Sequence, residues 1–296
     1  MVRSYCVVTP ARDEAFNLPR LAASLAAQTV RPRSWTIVDN GSTDGTLTVA
    51  GSLAATHPWI DVRSLPGTAV AERGAPIVRA LHAAIASLEA NPPEVLVNVD
   101  ADISMEPNYF ERLLARFDED ERLGIASGSA YELKDGEWRQ RFVTGSTVWG
   151  ASRAYRWECL QELLPLEARI AWDGVDEFKA NARGWRTIAF EDIPFRHHRP
   201  EGARDGAAWR ARANQGGAAY YLGYRPWYLV LRSLWNARRE PAALGMIWGY
   251  VTSAARRAER STDSAARAYL RGQQSPRNLR RRAQEASGRR QKVEVG

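Results

Sequence analysis

Short apolar runs and helical patterns alternate along the first third of the chain. The apolar runs have the length and composition of buried strands and lie at residues 4–9, 34–39, 60–65 and 94–99. Helical patterns separate them, at residues 18–25, 47–55 and 77–88. This order predicts an α/β fold with an open, mostly parallel sheet flanked by helices. The segments that follow the strands form the expected ligand-binding edge.

The pattern changes in the second half, where strands and helices mix less regularly. Its predicted elements are helices at 107–117, 153–163 and 173–183 and strands at 124–131 and 141–145. From Trp209 onward the pattern is helical, and Pro226, Pro241 and Pro276 interrupt it. We therefore expect a helical carboxyl-terminal extension after the α/β region.

The composition is that of an ordinary globular protein. The 296 residues are 45% hydrophobic and 25% charged, which excludes a wholly disordered or collagen-like chain. Two cysteines, Cys6 and Cys159, exclude a disulfide scaffold and match reducing conditions. No signal peptide or membrane-spanning segment is predicted, so the expected location is the cytoplasm.

Positive charge is concentrated near the carboxyl terminus. The whole chain has a net charge of +7, whereas residues 256–296 alone hold 12 basic and 4 acidic residues. The rest of the chain is therefore close to neutral. A basic tail attracts anionic lipid or nucleic acid, but no recognised nucleic-acid-binding module accompanies it, and we predict no nucleic-acid partner.

Asp100 and Asp102 follow directly after the apolar run at 94–99. Side chains two residues apart in an extended strand point the same way. Paired carboxylates suit a magnesium-type ion that also binds substrate phosphates. The alternative is a pair of turn aspartates before the next helix. Their position at the binding edge favours the metal site.

Two further acidic residues lie at the same predicted edge. Asp39 ends the second strand, before Asn40-Gly41, and is either a ligand contact or the polar end of a strand–turn–helix connector. Glu14 follows the first strand. An acidic residue there either contacts a ribose or base or stabilises the start of a helix.

Three of these segments together resemble a known family. TPARDEAFNL (9–18), VDNGSTDGT (38–46) and VDAD (99–102), in this order and spacing, resemble the inverting nucleotide-sugar glycosyltransferases of family two, which have the GT-A fold. The resemblance covers about residues 4–200 and implies a GT-A-type sheet.

The resemblance implies a GT-A catalytic domain with a nucleotide-sugar half and an acceptor half. The helical pattern and basic composition beyond it predict a helical extension and a flexible basic tail. The expected boundaries are 1–204 for the catalytic domain, about 1–103 and 104–204 for its halves, 205–286 for the extension and 287–296 for the tail.

The resemblance assigns the donor site residue by residue. Contacts with the nucleotide are implied for Pro10, Ala11, Glu14 and Asp39. Asp100 and Asp102 would hold a divalent cation, Mg²⁺ or Mn²⁺, on the diphosphate of the donor, with Asp100 also facing the substrate. Arg79 is a candidate for phosphate contact, and its alternative is a solvated helix face.

The segment before Gly184-Trp185 carries the candidate base. Members of the family have an acidic pair here, followed by a helix that ends in Gly-aromatic. Counting back aligns Asp173 with the second acid, whereas Trp172 stands in place of the first. Asp173 is the first candidate and Asp176 the second, although acids also stabilise helix starts without any catalytic role. A positioned carboxylate that removes the acceptor proton contributes roughly 10²–10⁴-fold.

His197 and His198 lie in a basic segment after the expected last strand. A neutral imidazole could complete the metal shell, and the choice between the two is open. Arg196, Arg199 and Arg204 suit phosphate. The alternative is a positively charged surface loop.

Trp149 and Gly150 are the candidates for the sugar and acceptor pocket. The resemblance implies that this region lines the pocket, and aromatic rings stack on sugar faces. The QxxRW motif of processive synthases is absent, since Gln215 is followed by GGA. We therefore expect transfer of a single sugar.

Residues 225–285 mix aromatic, aliphatic and arginine residues, as interfacial amphipathic helices do. Basic residues near a membrane surface attract anionic lipid. A lipid-linked acceptor and peripheral contact with the inner face of the cell membrane would explain both features. The alternative is packing of these helices on the catalytic domain or on a second subunit.

The expected function is metal-dependent, inverting transfer of one sugar from a nucleoside-diphosphate sugar to an acceptor hydroxyl, in cell-envelope or polysaccharide assembly. A non-catalytic nucleotide-sugar-binding or membrane-surface scaffold is the alternative. A sugar nucleotidyltransferase is disfavoured, because the segment TPARDEAFN lacks the Gly-rich phosphate loop that such an enzyme needs.

Overall fold

The computed structural model describes residues 4–67, 74–141, 147–199, 208–238 and 240–279. The strands are β1 (Tyr5–Ala11), β2 (Ser34–Asp39), β3 (Ile60–Ser64), β4 (Val95–Val99), β5 (Ile103–Met105), β6 (Leu123–Lys134), β7 (Glu137–Gln140), β8 (Ser152–Arg156) and β9 (Arg186–His197). The helices are α1 (Leu18–Ala26), α2 (Thr46–Thr56), α3 (Ala75–Leu88), α4 (Tyr109–Glu119), α5 (Trp157–Leu163), α6 (Trp172–Ala182), α7 (Ala208–Tyr221), α8 (Pro226–Ala237), α9 (Gly245–Ala255) and α10 (Ser264–Gln273). Short 3₁₀ turns occur at Pro241–Leu244 and Pro276–Asn278.

The nine described strands form one sheet in the order β3-β2-β1-β4-β8-β6-β9-β5, with β7 paired to β6. The first four strands of the chain run parallel, as the alternation of strands and helices predicted. β8 pairs antiparallel with both β4 and β6, whereas β6 and β9 are parallel. The α/β class and the helical carboxyl-terminal part are confirmed. Four of the eight strand pairs among the described residues are antiparallel, and each involves β6, β8 or β9, so the sheet as a whole is mixed.

The prediction of a helix over 153–163 is wrong in its first half. Ser152–Arg156 forms β8, and α5 begins only at Trp157. Arg153 is fully buried between two neighbouring strands, so a charged residue stands where a strand pattern would show an apolar one. The predicted strand over 141–145 lies outside the described residues except at Arg141.

Apolar side chains of the sheet and its helices pack into a core below the binding edge. Cys6 and Leu96 from the sheet, Leu81 from α3 and Leu160 from α5 belong to one buried cluster. Burial of a side chain of this size stabilises a fold by about 1.5–3 kcal/mol. The cluster therefore fixes the strands whose ends carry the polar candidates.

The described residues group into two compact units. The first comprises the described residues up to 180 and from 184 to 199, and the second comprises 181–183 and the described residues from 208 onward. The expected boundary near 204 lies outside the described residues, so that division of the chain stays a prediction.

The second unit is built from helices. Within it α7 and α9 approach so closely that a Cβ on Gly249 would lie 1.8 Å from the Ala213 oxygen. Pro226, Pro241 and Pro276 each stand at the start of a helix or 3₁₀ turn, where proline is tolerated. None of the described helices combines the length and apolar character needed to cross a bilayer.

Candidate active site

The carboxyl ends of β1, β2 and β4 meet at one edge of the sheet, because the three strands are parallel neighbours. Ala11 pairs in register with Asp39, and the Ala11 oxygen accepts a hydrogen bond from the Asn40 N–H at 2.9 Å. Pro10 precedes Ala11 and is half-buried. Pro10 and Ala11 therefore lie beside Asp39, at the edge where the sequence predicted contacts with a nucleotide.

The loop after β1 is hydrogen-bonded to the loop after β2. Asp13 Oδ1 accepts from the Thr43 N–H at 2.7 Å, and the Asp13 N–H donates to Ser42 Oγ at 2.9 Å. The Glu14 N–H donates to Thr46 Oγ1 at 2.7 Å. Two motifs that are separate in the sequence thus form one connected surface.

The Asp39 carboxylate is buried at the end of β2 and fixes the turn that follows. It accepts hydrogen bonds from the N–H groups of Gly41 (3.2 Å) and Ser42 (3.3 Å). Gly41 has a φ of +76°, and a Cβ there would lie 2.5 Å from Gly67 Cα, so only glycine fits. Asp39 therefore has a structural role in this turn, and its contact with a nucleotide stays a prediction.

Asp100, Asp102 and His197 converge at the ends of β4 and β9. Their ligand atoms all lie within 4.8 Å of one another, and His197 Nε2 is 3.3 Å from Asp102 Oδ1. Metal–oxygen bonds are about 2.0–2.6 Å long, so donors this close can share one ion. Two carboxylates and an imidazole suit Mg²⁺ or Mn²⁺. The three residues therefore fit a divalent cation.

His198 is directed elsewhere. Its Nε2 hydrogen-bonds with Ser104 Oγ at 2.8 Å. Its ring meets Trp138 edge to face, with 5.3 Å between the ring centroids. Of the two adjacent histidines, the structure brings His197 to the aspartates, whereas His198 contacts Ser104 and Trp138.

Arg199 connects the acid of the first loop to the aspartate pair. Its Nη2 lies 2.7 Å from Glu14 Oε2, and its Nε lies 3.4 Å from Asp102 Oδ2. Glu14 Oε2 also accepts a hydrogen bond from Asn17 Nδ2 at 2.7 Å. Residues from opposite ends of the first unit's sequence thus meet in one polar cluster.

Burial and close contact shift the pKa values of this cluster. Burial and the charge of Asp102 raise the pKa of Asp100 to about 6. Burial also acts to raise the pKa of Asp102, but the hydrogen bond and charge of His197 and the charge of Arg199 hold that pKa below its usual range. Burial acts to lower the pKa of His197, yet contact with Asp102 keeps it above its usual value. Shifts of this kind are typical of functional sites.

Asp173 lies partly exposed at the start of α6, beside Gly150. Its Oδ1 accepts the Gly174 N–H at 3.0 Å, and a Cβ placed on Gly150 would lie 3.7 Å from Asp173 Oδ2. The Gly150 oxygen accepts from Asn98 Nδ2 at 2.8 Å, which also donates to Asp100 Oδ1 at 3.3 Å. Two hydrogen bonds from Asn98 thus connect a candidate metal ligand to Gly150, the residue beside the candidate base.

Asp176, the second candidate base, is fully buried. Its Oδ2 accepts a hydrogen bond from the Tyr155 hydroxyl at 2.8 Å. Burial raises the pKa of Asp176 to about 7, although nearby Arg153 acts to lower it. Of the two acids, Asp173 is therefore the one open to an acceptor.

Arg153 holds the backbone around the candidate base, a role that the sequence did not indicate. Its guanidinium donates to the backbone oxygens of Val148 (3.0 Å) and Asp173 (2.7 Å) and pairs with Glu177 at 3.2 Å. Glu177 in turn accepts the Val148 N–H at 2.8 Å, and burial raises the pKa of Glu177 to about 7. A buried arginine interrupts the apolar alternation of a strand, so hydrophobic periodicity carries no signal for it.

Trp149 and Arg79 complete the predicted set. Trp149 is only 6% exposed, and its ring meets Phe195 edge to face and lies 5.6 Å from the Arg141 guanidinium carbon. Arg79 lies half-buried in α3. The sugar-stacking role of Trp149 and the phosphate-binding role of Arg79 therefore stay predictions.

The chain and its fold are similar to known proteins. The family model described as Glycosyl transferase family 2 matches residues 6–168. The fold is similar to that of mannosyltransferase PcManGT from Pyrobaculum calidifontis in complex with GDP-Man and Mn²⁺, at 17% identity and a TM-score of 0.58, over 96% of this chain and 84% of that chain. No curated protein sequence matches the chain significantly.

Two further solved structures share the fold. S. aureus TarS 1-349 in complex with UDP-GlcNAc is 17% identical, with a TM-score of 0.52, over 72% of this chain and 64% of that chain. Glucosyl-3-phosphoglycerate synthase from Mycobacterium tuberculosis in complex with phosphoglyceric acid is 18% identical, with a TM-score of 0.52, over 73% of this chain and 79% of that chain. At these identities the likeness shows the fold alone.

Proposed function

We infer the reaction from one established premise: this chain belongs to glycosyl transferase family 2 and is a glycosyltransferase. We propose that it transfers one sugar from a nucleoside-diphosphate sugar to an acceptor hydroxyl, with a divalent cation and with inversion. One observation carries the proposal: Asn98 donates hydrogen bonds to both Asp100 and the Gly150 oxygen, and Gly150 lies beside Asp173. This arrangement supports a donor held near Asp100 and an acceptor held near Asp173, on either side of Gly150.

Asp173 is the proposed base. The acceptor oxygen attacks the anomeric carbon, and a new carbon–oxygen bond forms while the bond to the diphosphate oxygen breaks. The diphosphate leaves with the bonding electron pair, and the acceptor proton passes to the Asp173 carboxylate. Attack from the side opposite the leaving group inverts the anomeric centre.

Asp100, Asp102 and His197 are the residues that would hold the cation. When bound, a divalent ion neutralises the charge that develops on the leaving diphosphate. Arg199 lies within reach of Asp102 and adds a guanidinium suited to a phosphate oxygen. Similar solved proteins hold GDP-Man with Mn²⁺ and UDP with GalNAc and Mn²⁺, which supports Mn²⁺ as the first ion to test.

The nucleotide contacts are proposed for the connected loops after β1 and β2. Glu14 and Asp39 would recognise the ribose and base, and Pro10 and Ala11 would contribute backbone contacts. Glu14 already pairs with Arg199, so its carboxylate is oriented toward the aspartate cluster. This arrangement supports a nucleotide that runs from the loops to the cation.

We also propose a lipid-linked acceptor and a location at the inner face of the cell membrane, in cell-envelope or polysaccharide assembly. The described part of the second unit supports this, because large apolar side chains are exposed along α8 and α9. The lack of a QxxRW motif after Gln215 supports transfer of a single sugar.

Release of nucleoside diphosphate from a panel of nucleotide sugars tests the proposal. We expect release by the wild-type protein only with Mn²⁺ or Mg²⁺, and faster release when acceptor is added. Asp173→Asn should lower acceptor-dependent release by roughly 10²–10⁴-fold while thermal stabilisation by the donor persists. Asp61→Asn, which changes an acid 54% exposed in β3, is the matched control.

Two results would contradict the proposal. Release by Asp173→Asn at the wild-type rate would remove Asp173 from the role of base. Thermal stabilisation by a nucleotide sugar without release for any acceptor extract would favour a non-catalytic binding protein.

A further inference from the structure

A cavity of about 350 Å³ lies in the second unit, at the start of α8. Three arginines line it, Arg225, Arg260 and Arg271, together with the aromatic residues Tyr224, Trp227 and Tyr250. None of the described residues that line it is acidic. The cavity therefore combines three positive charges with aromatic walls.

The three arginines are held by uncharged partners. Arg225 Nε donates to the Arg271 backbone oxygen at 3.2 Å, and Arg271 Nε donates to the Gly223 oxygen at 3.1 Å. The Arg260 guanidinium carbon lies 4.4 Å from the centroid of the Tyr220 ring. Among the described residues, no carboxylate pairs with any of the three.

Several arginines of the first unit instead pair with carboxylates. Arg112 and Arg116 share the Asp192 carboxylate at 2.9 Å, and Arg186 pairs with Asp120 at 2.8 Å. Like charges that share a cavity repel one another. An anion placed between the three arginines would remove that repulsion, and the planar guanidinium fork matches phosphate oxygens in particular.

The helix that begins at the cavity exposes apolar side chains. Leu229 and Ser233 of α8 are buried, which leaves the opposite side of the helix outward. The exposed residues recur at helical spacing: Trp227, Val230, Leu231, Leu234 and Trp235. Leu231 and Leu234 are each about half exposed, at 50% and 51%. An amphipathic helix with this pattern is suited to a membrane interface.

Helix α9, which packs against α8, repeats the arrangement. Its inward residues include Met246, which shares a small core with Leu229 of α8. Trp248 and Val251 are 59% and 54% exposed. Two helices in contact therefore both expose large apolar side chains.

Charge indicates the kind of partner. Residues 208–258 contain a single acidic residue, Glu240, and its carboxylate pairs with Arg212. Trp227 belongs both to the exposed side of α8 and to the lining of the cavity. The arginine-lined cavity thus opens where the apolar side of α8 begins. Phosphate headgroups lie beside acyl chains in a bilayer, so the order of charged and apolar groups is the same in both.

We propose that this cavity binds the phosphate headgroup of an anionic bilayer lipid while the exposed side of α8 enters the acyl region. The inference rests on the membrane contact in the proposed function and names the lipid group that the protein would recognise there. It assigns specific recognition to Arg225, Arg260 and Arg271, rather than to basic charge spread over the unit.

Vesicle co-sedimentation of the full chain tests the assignment. The wild-type protein should bind vesicles of phosphatidylcholine with phosphatidic acid and not vesicles of phosphatidylcholine alone. A triple variant, Arg225→Gln, Arg260→Gln and Arg271→Gln, should bind the anionic vesicles about a hundredfold more weakly. The charge-matched control replaces three exposed arginines outside the cavity, Arg256, Arg257 and Arg277, with glutamine. It removes the same amount of basic charge, so a clearly smaller loss than that of the cavity triple marks specific binding in the cavity.

A second pair of variants separates the apolar contact from the charge. Leu231→Ser with Leu234→Ser should also weaken binding to anionic vesicles. Leu133→Ser, in β6 of the first unit and 52% exposed, should leave it unchanged. Far-ultraviolet circular dichroism and thermal melting report whether each variant keeps its fold.

Three outcomes would overturn the assignment. Equal losses in the two arginine triples would mean diffuse attraction by basic charge. Thermal stabilisation by inorganic phosphate that depends on the cavity arginines, without vesicle binding, would mean a site for a free anion. A dimer in light scattering that Leu231→Ser with Leu234→Ser dissociates, again without vesicle binding, would mean that a second copy covers the helix. Vesicle binding requires no turnover, so failure of the transferase assay leaves these results interpretable.

Discussion

The acids expected to hold the donor lie at strand ends, whereas the acid expected to activate the acceptor is held by a buried ionic network. Asp100 and Asp102 follow β4 directly, in a segment whose apolar run makes them visible in the sequence. Asp173 depends on Arg153, which is 0% exposed and holds the Asp173 backbone oxygen. The ends of strands thus determine where the expected donor-binding acids lie. The buried charges determine where the expected base lies.

The largest effect is expected on the donor side, for Asp102→Asn. Loss of one of the three proposed ligands should remove several kcal/mol of transition-state stabilisation, or about a thousandfold in nucleoside diphosphate release. Steady-state kinetics over a range of Mn²⁺ concentrations measures it. Asp61→Asn, at an exposed ion pair in β3, should retain wild-type rates. A rate for Asp102→Asn close to wild type would mean that this cluster is not the metal site.

On the acceptor side, Arg153→Met should act through stability. Removing the arginine breaks its ion pair with the buried Glu177 carboxylate, and breaking a buried pair in this way costs about 3–5 kcal/mol. Urea denaturation measures the free energy of unfolding. Arg139→Met, whose side chain is 55% exposed beside Glu137, should cost about 1 kcal/mol or less. Similar losses in both variants would contradict the role given to Arg153.

The buried acid Asp176 predicts a pH dependence. Its pKa is about 7 in the folded protein and about 3.9 in an unfolded chain, so between these values the folded protein binds more protons at this site. The free energy of unfolding should therefore fall as pH rises through that window, by up to about 1.4 kcal/mol per pH unit, and level off above it.

The measurement is the difference in unfolding free energy between the wild type and Asp176→Asn across this pH range. The variant lacks the titrating carboxylate, so the wild type should lose stability relative to the variant as pH rises. A difference that stays constant would show that Asp176 is ionised throughout and that the network is more polar than its burial indicates.

The smallest effect is expected for Gly150→Ala. The added Cβ would lie 3.7 Å from Asp173 Oδ2, an ordinary contact, so the free energy of unfolding should change by about 0.5 kcal/mol or less. The methyl group would lie next to the proposed base and displace the acceptor, which should lower kcat/KM roughly tenfold. Gly51→Ala, where a Cβ meets no atom within 4 Å, should leave kcat/KM unchanged. Its free energy of unfolding should rise by about 0.5–1 kcal/mol, because alanine is favoured over glycine inside a helix such as α2. Unaltered transfer by Gly150→Ala would place the acceptor elsewhere.

The sequence predicted the first four strands and the helices between them because apolar runs and turn residues report on local structure. It predicted the family for a similar reason, since three motifs at strand ends keep their order. It could not predict that Asn98 joins Asp100 to Gly150, because this contact bridges residues far apart in the chain.

The second half was harder to predict for a physical reason. β8 contains a buried charged residue, Arg153, and its sequence resembles the first turn of a helix. The choice between His197 and His198 also required coordinates, because adjacent residues of one type differ only in which neighbours they reach. Pairing of β9 with β5 brings Ile103 opposite His197 and so carries that histidine to the aspartates.

Anomalous diffraction from crystals grown with Mn²⁺ and a nucleoside-diphosphate sugar would locate the cation and the sugar in one experiment. We expect a single manganese peak within bonding distance of Asp100, Asp102 and His197, with the anomeric carbon of the sugar turned toward the Asp173 carboxylate. Manganese bound by other residues would contradict the proposed metal site. An anomeric carbon separated from Asp173 by other side chains would contradict the proposed base.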